Sequence, residues 1–157
     1  MTSLEYILKL FEVSAKQLHI DYVQETPTRF QKWATKNKPP YIALLGRTES
    51  SVTNNVNTKV KTYVCNFVVI TSNERDLSNE DLINNKIYSD KLADDFSEFI
   101  SKNKDVFDFN STKSEVFREG SYVGSGVGIT ITLSIVDMNK YCDIFCNDST
   151  KIIDCNS

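Results

Sequence analysis

Histidine is almost missing from this chain: His19 is the only one in 157 residues. Ser/His/Asp and Cys/His mechanisms need a positioned base. His19 is the sole candidate, and no serine or cysteine sits in a nucleophile elbow. Arginine is scarce too, with Arg29, Arg47, Arg75 and Arg118 the only four, and the net charge is -3. A sequence-specific DNA binder is usually basic and uses Arg for bidentate contacts, so that class is disfavoured. No apolar run approaches the ~20 residues of a membrane span. Met1 leads straight into an amphipathic pattern without an apolar leader region, so synthesis in a cytosol is expected.

Glycine is sparse, and four of the five crowd into Gly120–Gly128. A phosphate loop needs its glycines between a strand and a helix, often with Gly-Lys-Ser or Gly-Lys-Thr following. Here they precede Ile129-Thr-Ile-Thr-Leu-Ser-Ile-Val136, a strand pattern, so they read as a turn with close backbone approach. The four cysteines are Cys65, inside an apolar strand, and Cys142, Cys146 and Cys155. Their C-x3-C-x8-C spacing is not a standard zinc arrangement. Only with His19 would they complete a Cys3His set. We expect reduced thiols, no metal and no cofactor.

What is present is enough for one domain with a real core. Residues 1–142 are expected to form a single α+β domain and residues 143–157 a tail. Tyr141, Ile144, Phe145, Ile152 and Ile153 predict that the chain end packs on the same or a neighbouring subunit.

Residues 4 to 18 predict a helix, with Thr2-x-x-Glu5 as a capping box. Leu4, Ile7, Leu8, Phe11, Ala15 and Leu18 form one apolar stripe. Tyr6, Leu10 and Val13 form a second beside it. Together they cover roughly 220° of the helix at ~100° per residue, about twice what a surface helix needs. Deeper burial within the domain or a subunit contact would satisfy this. A subunit contact is expected, with Tyr6, Leu10 and Val13 as interface residues.

His19–Val23 alternates like a short strand, and Phe30 and Trp33 suggest a helical turn after Pro27. Tyr41–Gly46 reads as a strand. Tyr63-Val-Cys-Asn-Phe-Val-Val-Ile70 is apolar on both alternating faces and reads as a central strand. Arg47–Lys59 between them has no hydrophobic period and is expected to be a protruding loop, with Asn54, Asn55 and Asn57 as contact residues. A second helix is expected from about Asn84 to Lys102, with Ile83, Ile87, Leu92, Phe96, Phe99 and Ile100 as its core stripe. Residues 103–114 read as a loop anchored by Val106, Phe107 and Phe109, followed by a short strand at Glu115–Glu119. In the last strand Ile129, Ile131, Leu133 and Ile135 face a core. Thr130, Thr132 and Ser134 face the other way, and Thr130 and Thr132 join the expected interface.

Asp94 and Asp95, adjacent on a helix, point about 100° apart and cannot share a metal unaided. Glu115 and Asp137 are possible companions in a metal-dependent nuclease site, but no spacing demands it; a solvated acidic face is the plainer reading. Charge is unevenly spread. Residues 1–47 hold seven basic and four acidic side chains, and residues 74–108 five basic and ten acidic. Such polarity can orient subunits.

The order of elements supports a resemblance. His19-Ile-Asp-Tyr22, Pro40-Tyr41-Ile42, Val64-Cys-Asn-Phe-Val-Val-Ile70, Leu92-Ala-Asp-Asp-Phe-Ser-Glu-Phe-Ile100 and Gly128-Ile-Thr-Ile-Thr-Leu-Ser-Ile-Val-Asp137 follow a layout spanning most of residues 4–142. This layout resembles the neck and tail-connector proteins of tailed bacteriophages, of the tail-terminator or tail-completion type, including ring proteins of crAss-like phages. The three cysteines of the tail have no counterpart in that layout. The resemblance implies an α+β fold, with a mixed or mainly antiparallel sheet of about four strands flanked by two main helices. It also implies a homo-oligomeric ring, sixfold or twelvefold, in the virion neck or tail. The ring would stack on other ring, portal or tail proteins and pass DNA through its lumen without sequence-specific contact or a membrane. A small intracellular adaptor or binding domain without catalysis, and a metal-dependent nuclease, are the competing readings.

Overall fold

A computed structural model describes residues 3–24, 27–34, 36–53, 59–72, 78–102, 107–116 and 125–136. In chain order the elements are α1 (Ser3–Gln17), β1 (Asp21–Gln24), α2 (Pro27–Ala34), β2 (Tyr41–Thr53), β3 (Lys59–Ser72), α3 (Asn79–Ser101), β4 (Phe107–Val116) and β5 (Ser125–Val136). The architecture is α+β: among the described residues, one five-stranded mixed sheet in the order β1-β2-β3-β5-β4 with three helices. Among these strand pairs, only β1–β2 is parallel.

The β3–β5 pair is the centre of the sheet because its apolar periods coincide. Phe67 lies opposite Ile129, Cys65 opposite Ile131, and Tyr63 opposite Leu133. These residues form one face, on which α1 and α3 pack through Ile7, Leu10, Phe11, Phe96 and Ile100. Phe67 stands edge-on to Phe11 at 4.7 Å and to Phe96 at 5.3 Å, a favourable aromatic geometry. A smaller cluster on the opposite face joins Ala34 and Trp33 of α2 to Tyr41, Ala43, Val68 and Ile70, so α2 covers only one end of that face.

Helix α1 ends where the expected pattern fades. The His19 amide donates to the Lys16 carbonyl and the Ile20 amide to the Ala15 carbonyl, while His19 itself has φ 56°. This is the hydrogen-bond pair of a Schellman stop, with His19 in the left-handed position. The lone histidine thus closes a helix.

Four expectations are corrected. Tyr6 and Leu10 are 1% and 0% exposed and belong to the chain's own core, so they do not face a neighbouring subunit. The reason is that α1 is enclosed on two sides, by the sheet and by α3, and needs both apolar stripes. Val13 is half-buried.

Arg47–Thr53 is strand rather than loop. It continues β2 past a register shift at Leu44/Gly46 and pairs residue by residue with Lys59–Cys65. Its side chains are exposed from Arg47 to Ser51, so backbone pairing to β3 fixes it and no hydrophobic period marks it. Phe107–Val116 is likewise one continuous strand, paired along its length with β5, which makes the sheet five-stranded. Finally, α3 begins at Asn79. Ser78 caps it by accepting from the Asp81 amide, and Glu80 and Asp81 occupy the first turn, where carboxylates suit the helix dipole.

Candidate interaction surface

Away from α2, the sheet face opposite α1 and α3 carries a patterned set of side chains. The pairing registers place them in rows across β2, β3, β5 and β4. One row is Gly46, Asn66, Thr130, Thr112; the next is Thr48, Val64, Thr132, Asn110; the third is Ser50, Thr62, Ser134, Asp108. The side chains are exposed or half-buried. Thr130 donates to the Asn66 amide oxygen at 2.9 Å, and the Thr62 and Ser134 hydroxyls meet at 3.0 Å. These cross-strand pairs knit the rows together.

Asp108 is the one charged residue among those twelve positions, in a chain that is 25% charged. A face of hydroxyls and amides holds water well and offers no cluster of cations for phosphates, which is what salt-dependent nucleic-acid affinity requires. It also offers no acid–base pair. Thr130 and Thr132, expected as contact residues, lie in the middle of this face. Asn54, Asn55 and Asn57 lie outside the described residues, as do Asp137, Cys142, Cys146, Cys155, the tail 143–157 and the side chain of Glu115.

The titratable candidates lie elsewhere and apart. Cys65 is buried in the helix-face core, and burial pushes its thiol up to about 12, with Arg47 opposing that shift. Such a thiol stays protonated and inert at neutral pH. The Tyr22 phenol near it is also raised, chiefly by burial, and its oxygen finds no hydrogen-bond partner among the described residues. His19 is exposed at the helix stop.

Asp94 is exposed and held by Lys113 of β4 at 2.7 Å; the same ammonium reaches Asp90 at 2.8 Å. These contacts raise the Lys113 pKa, hydrogen bonding to Asp90 first and to Asp94 next. An ammonium between two carboxylates ties α3 to the edge strand and occupies the place a cation would take. Among the described residues, no group of three or more His, Cys, Asp or Glu side chains comes together.

The expected core stripe of α3 is corrected at its first two members, Ile83 and Ile87. Ile83 and Ile87 of α3 are 59% and 63% exposed, with Leu82 and Tyr88 exposed nearby. Their period continues the helix pattern, but the buried stripe starts only at Ser89. The Ser78 cap was the available signal that the helix starts earlier and carries these residues outside the core. No family model matches the chain, and no curated protein is similar to it.

Proposed function

We propose that the chain is a structural virion protein, a subunit of a homo-oligomeric ring in the neck or tail of a tailed bacteriophage. The ring links head or portal to tail and lets DNA pass. Its layout resemblance to tail-terminator and tail-completion proteins motivates the reading. The observation that carries it is the almost uncharged sheet face around Thr130 and Thr132, which no helix covers among the described residues. A channel wall of that kind wets readily and makes few ionic contacts with phosphates, so a polyanion slides along it without being held. No catalysis and no cofactor enter this role, and its partners are other ring, portal or tail proteins.

Native mass spectrometry of the full chain tests the reading. A closed homo-oligomer of six or twelve copies is the expected species. A monomer that stays monomeric up to the limit of solubility overturns it and favours the adaptor reading.

A further inference from the structure

We propose that α2 and the turn after it form a docking surface for the phosphate backbone of duplex DNA, placed at one end of the polar sheet face. The contact reads charge and not base sequence. In the ring reading, on which its role rests, it gathers DNA at one mouth of the channel.

The first observation is charge. Residues 27–40 carry Arg29, Lys32, Lys36 and Lys38 and no acidic side chain. All four cations are exposed. Trp33 and Ala34 seat α2 on the sheet, packing with Tyr41, Ala43, Val68 and Ile70. The turn that follows is tied to the helix end: the Lys36 amide and the Asn37 side-chain amide both donate to the Trp33 carbonyl, at 3.0 and 2.8 Å. Lys36 and Lys38 are thereby held at the end of the helix that carries Arg29 and Lys32. One end of the sheet concentrates positive charge in a chain whose net charge is -3. Among the described residues, the registers put Asp21 on this face, opposite Tyr41, and Asp108 in the polar row farthest from α2. The balance beside α2 stays positive.

The second observation is what adjoins those cations. On this face of β2 and β3 the pairs run Tyr41–Ile70, Ala43–Val68 and then Gly46–Asn66, which opens the row continued by Thr130 and Thr112. The pairs under α2 are therefore followed along the strands by the first polar row. Phosphate oxygens accept hydrogen bonds from Arg and Lys and equally from Ser, Thr and Asn, and such contacts hold a duplex without reading its sequence. A basic helix beside a floor of hydroxyls and amides supplies both kinds of donor. Single strands need aromatic faces on which bases stack. The twelve positions of the polar rows include no aromatic residue, and the Trp33 ring stands edge-on to Tyr41 at 4.8 Å. The surface thus fits a duplex approached through its phosphates. Because the cations stand at one end and the floor beyond is almost uncharged, DNA is attracted to that end and meets little ionic hold past it.

Fluorescence anisotropy of a short DNA duplex of arbitrary sequence, titrated with the full chain, tests this. One variant carries Arg29→Ala, Lys36→Ala and Lys38→Ala. The other carries Lys9→Ala, Lys16→Ala and Lys91→Ala, on the helices of the opposite face. All six positions are exposed, and both variants change the net charge equally. Wild-type affinity is expected to fall about 40-fold between about 50 and 200 mM salt, as neutralising about three phosphates requires. At the lower salt the α2 variant is expected to bind about tenfold or more weakly than wild type, and the control within about twofold of it. Equal losses in both variants would mean that net charge alone acts, and would overturn the site. So would tighter binding of the single strand, or a wild type that binds no duplex. Native mass spectrometry of the same samples keeps the two readings apart. Rings that bind no duplex overturn the docking surface alone; a monomer that binds duplex through α2 overturns the ring alone.

Discussion

A carboxylate in place of Leu10 would sit where the native side chain has 0% exposure. A buried, unpaired charge costs several kcal/mol, a large part of a small domain's stability. Leu10→Asp is therefore expected to unfold the chain, read as loss of the far-ultraviolet circular dichroism signal at room temperature. Val13→Asp, at a half-buried site, is expected to lower the melting temperature modestly and leave the fold intact. Equal effects would place Val13 in the core as well. Cys65 supplies a pH-dependent term. Its thiol has an ordinary value of 9.0 and is pushed up to about 12 by burial. The folded state thus resists ionisation that the unfolded state allows. The stabilising contribution is fully present below pH 9.0 and falls away as the pH rises towards about 12. Cys65→Ala is expected to flatten this alkaline loss, measured by urea midpoints across that range, although Tyr22 adds a similar slope still higher. A wild-type midpoint that drops no faster than the variant's would show that the thiol is not shielded.

At the scale of elements, β5 passes close to β3 at Gly126. A Cβ there would stand against the Val69 carbonyl oxygen and 2.6 Å from Ile70 Cδ1. Gly126→Ala is expected to destabilise by about 1–3 kcal/mol, the usual scale of overpacking, with the lost midpoint read by urea denaturation. An unchanged midpoint would mean that the strand ends shift freely. This close approach was legible in the glycine-marked run before Ile129, and so were the cores of α1, β3, β5 and the second half of α3. All of them carry an apolar pattern that burial explains, on one side in β5 and on two in α1 and β3. The missed stretches share a different physics. Arg47–Thr53 and Phe107–Ser114 are strands held by backbone ladders, and the side chains of Arg47 to Ser51, Asp108, Asn110 and Thr112 to Ser114 meet water, so no clean apolar period marks them. The first turns of α3 are fixed by the Ser78 cap rather than by a buried stripe. The double stripe of α1 was legible as excess apolar surface, but its destination was not, because a wheel cannot tell a packed neighbouring helix from a neighbouring subunit.

At the scale of the whole molecule, α1 and α3 take one face of the sheet, α2 takes one end of the other, and among the described residues nothing covers the remainder. The alternation of Thr130, Thr132 and Ser134 gave that face away in β5. Its extension into rows with Thr48, Asn66 and Asn110 depends on strand order and register, which a single sequence does not state. In the proposed ring, this face lines or adjoins the channel. Negative-stain electron microscopy of the purified full chain tests that claim most directly. The account predicts annular particles with a central hole and sixfold or twelvefold symmetry in class averages. Fields of small solid particles of single-chain size, at concentrations where the protein is folded and soluble, would contradict it.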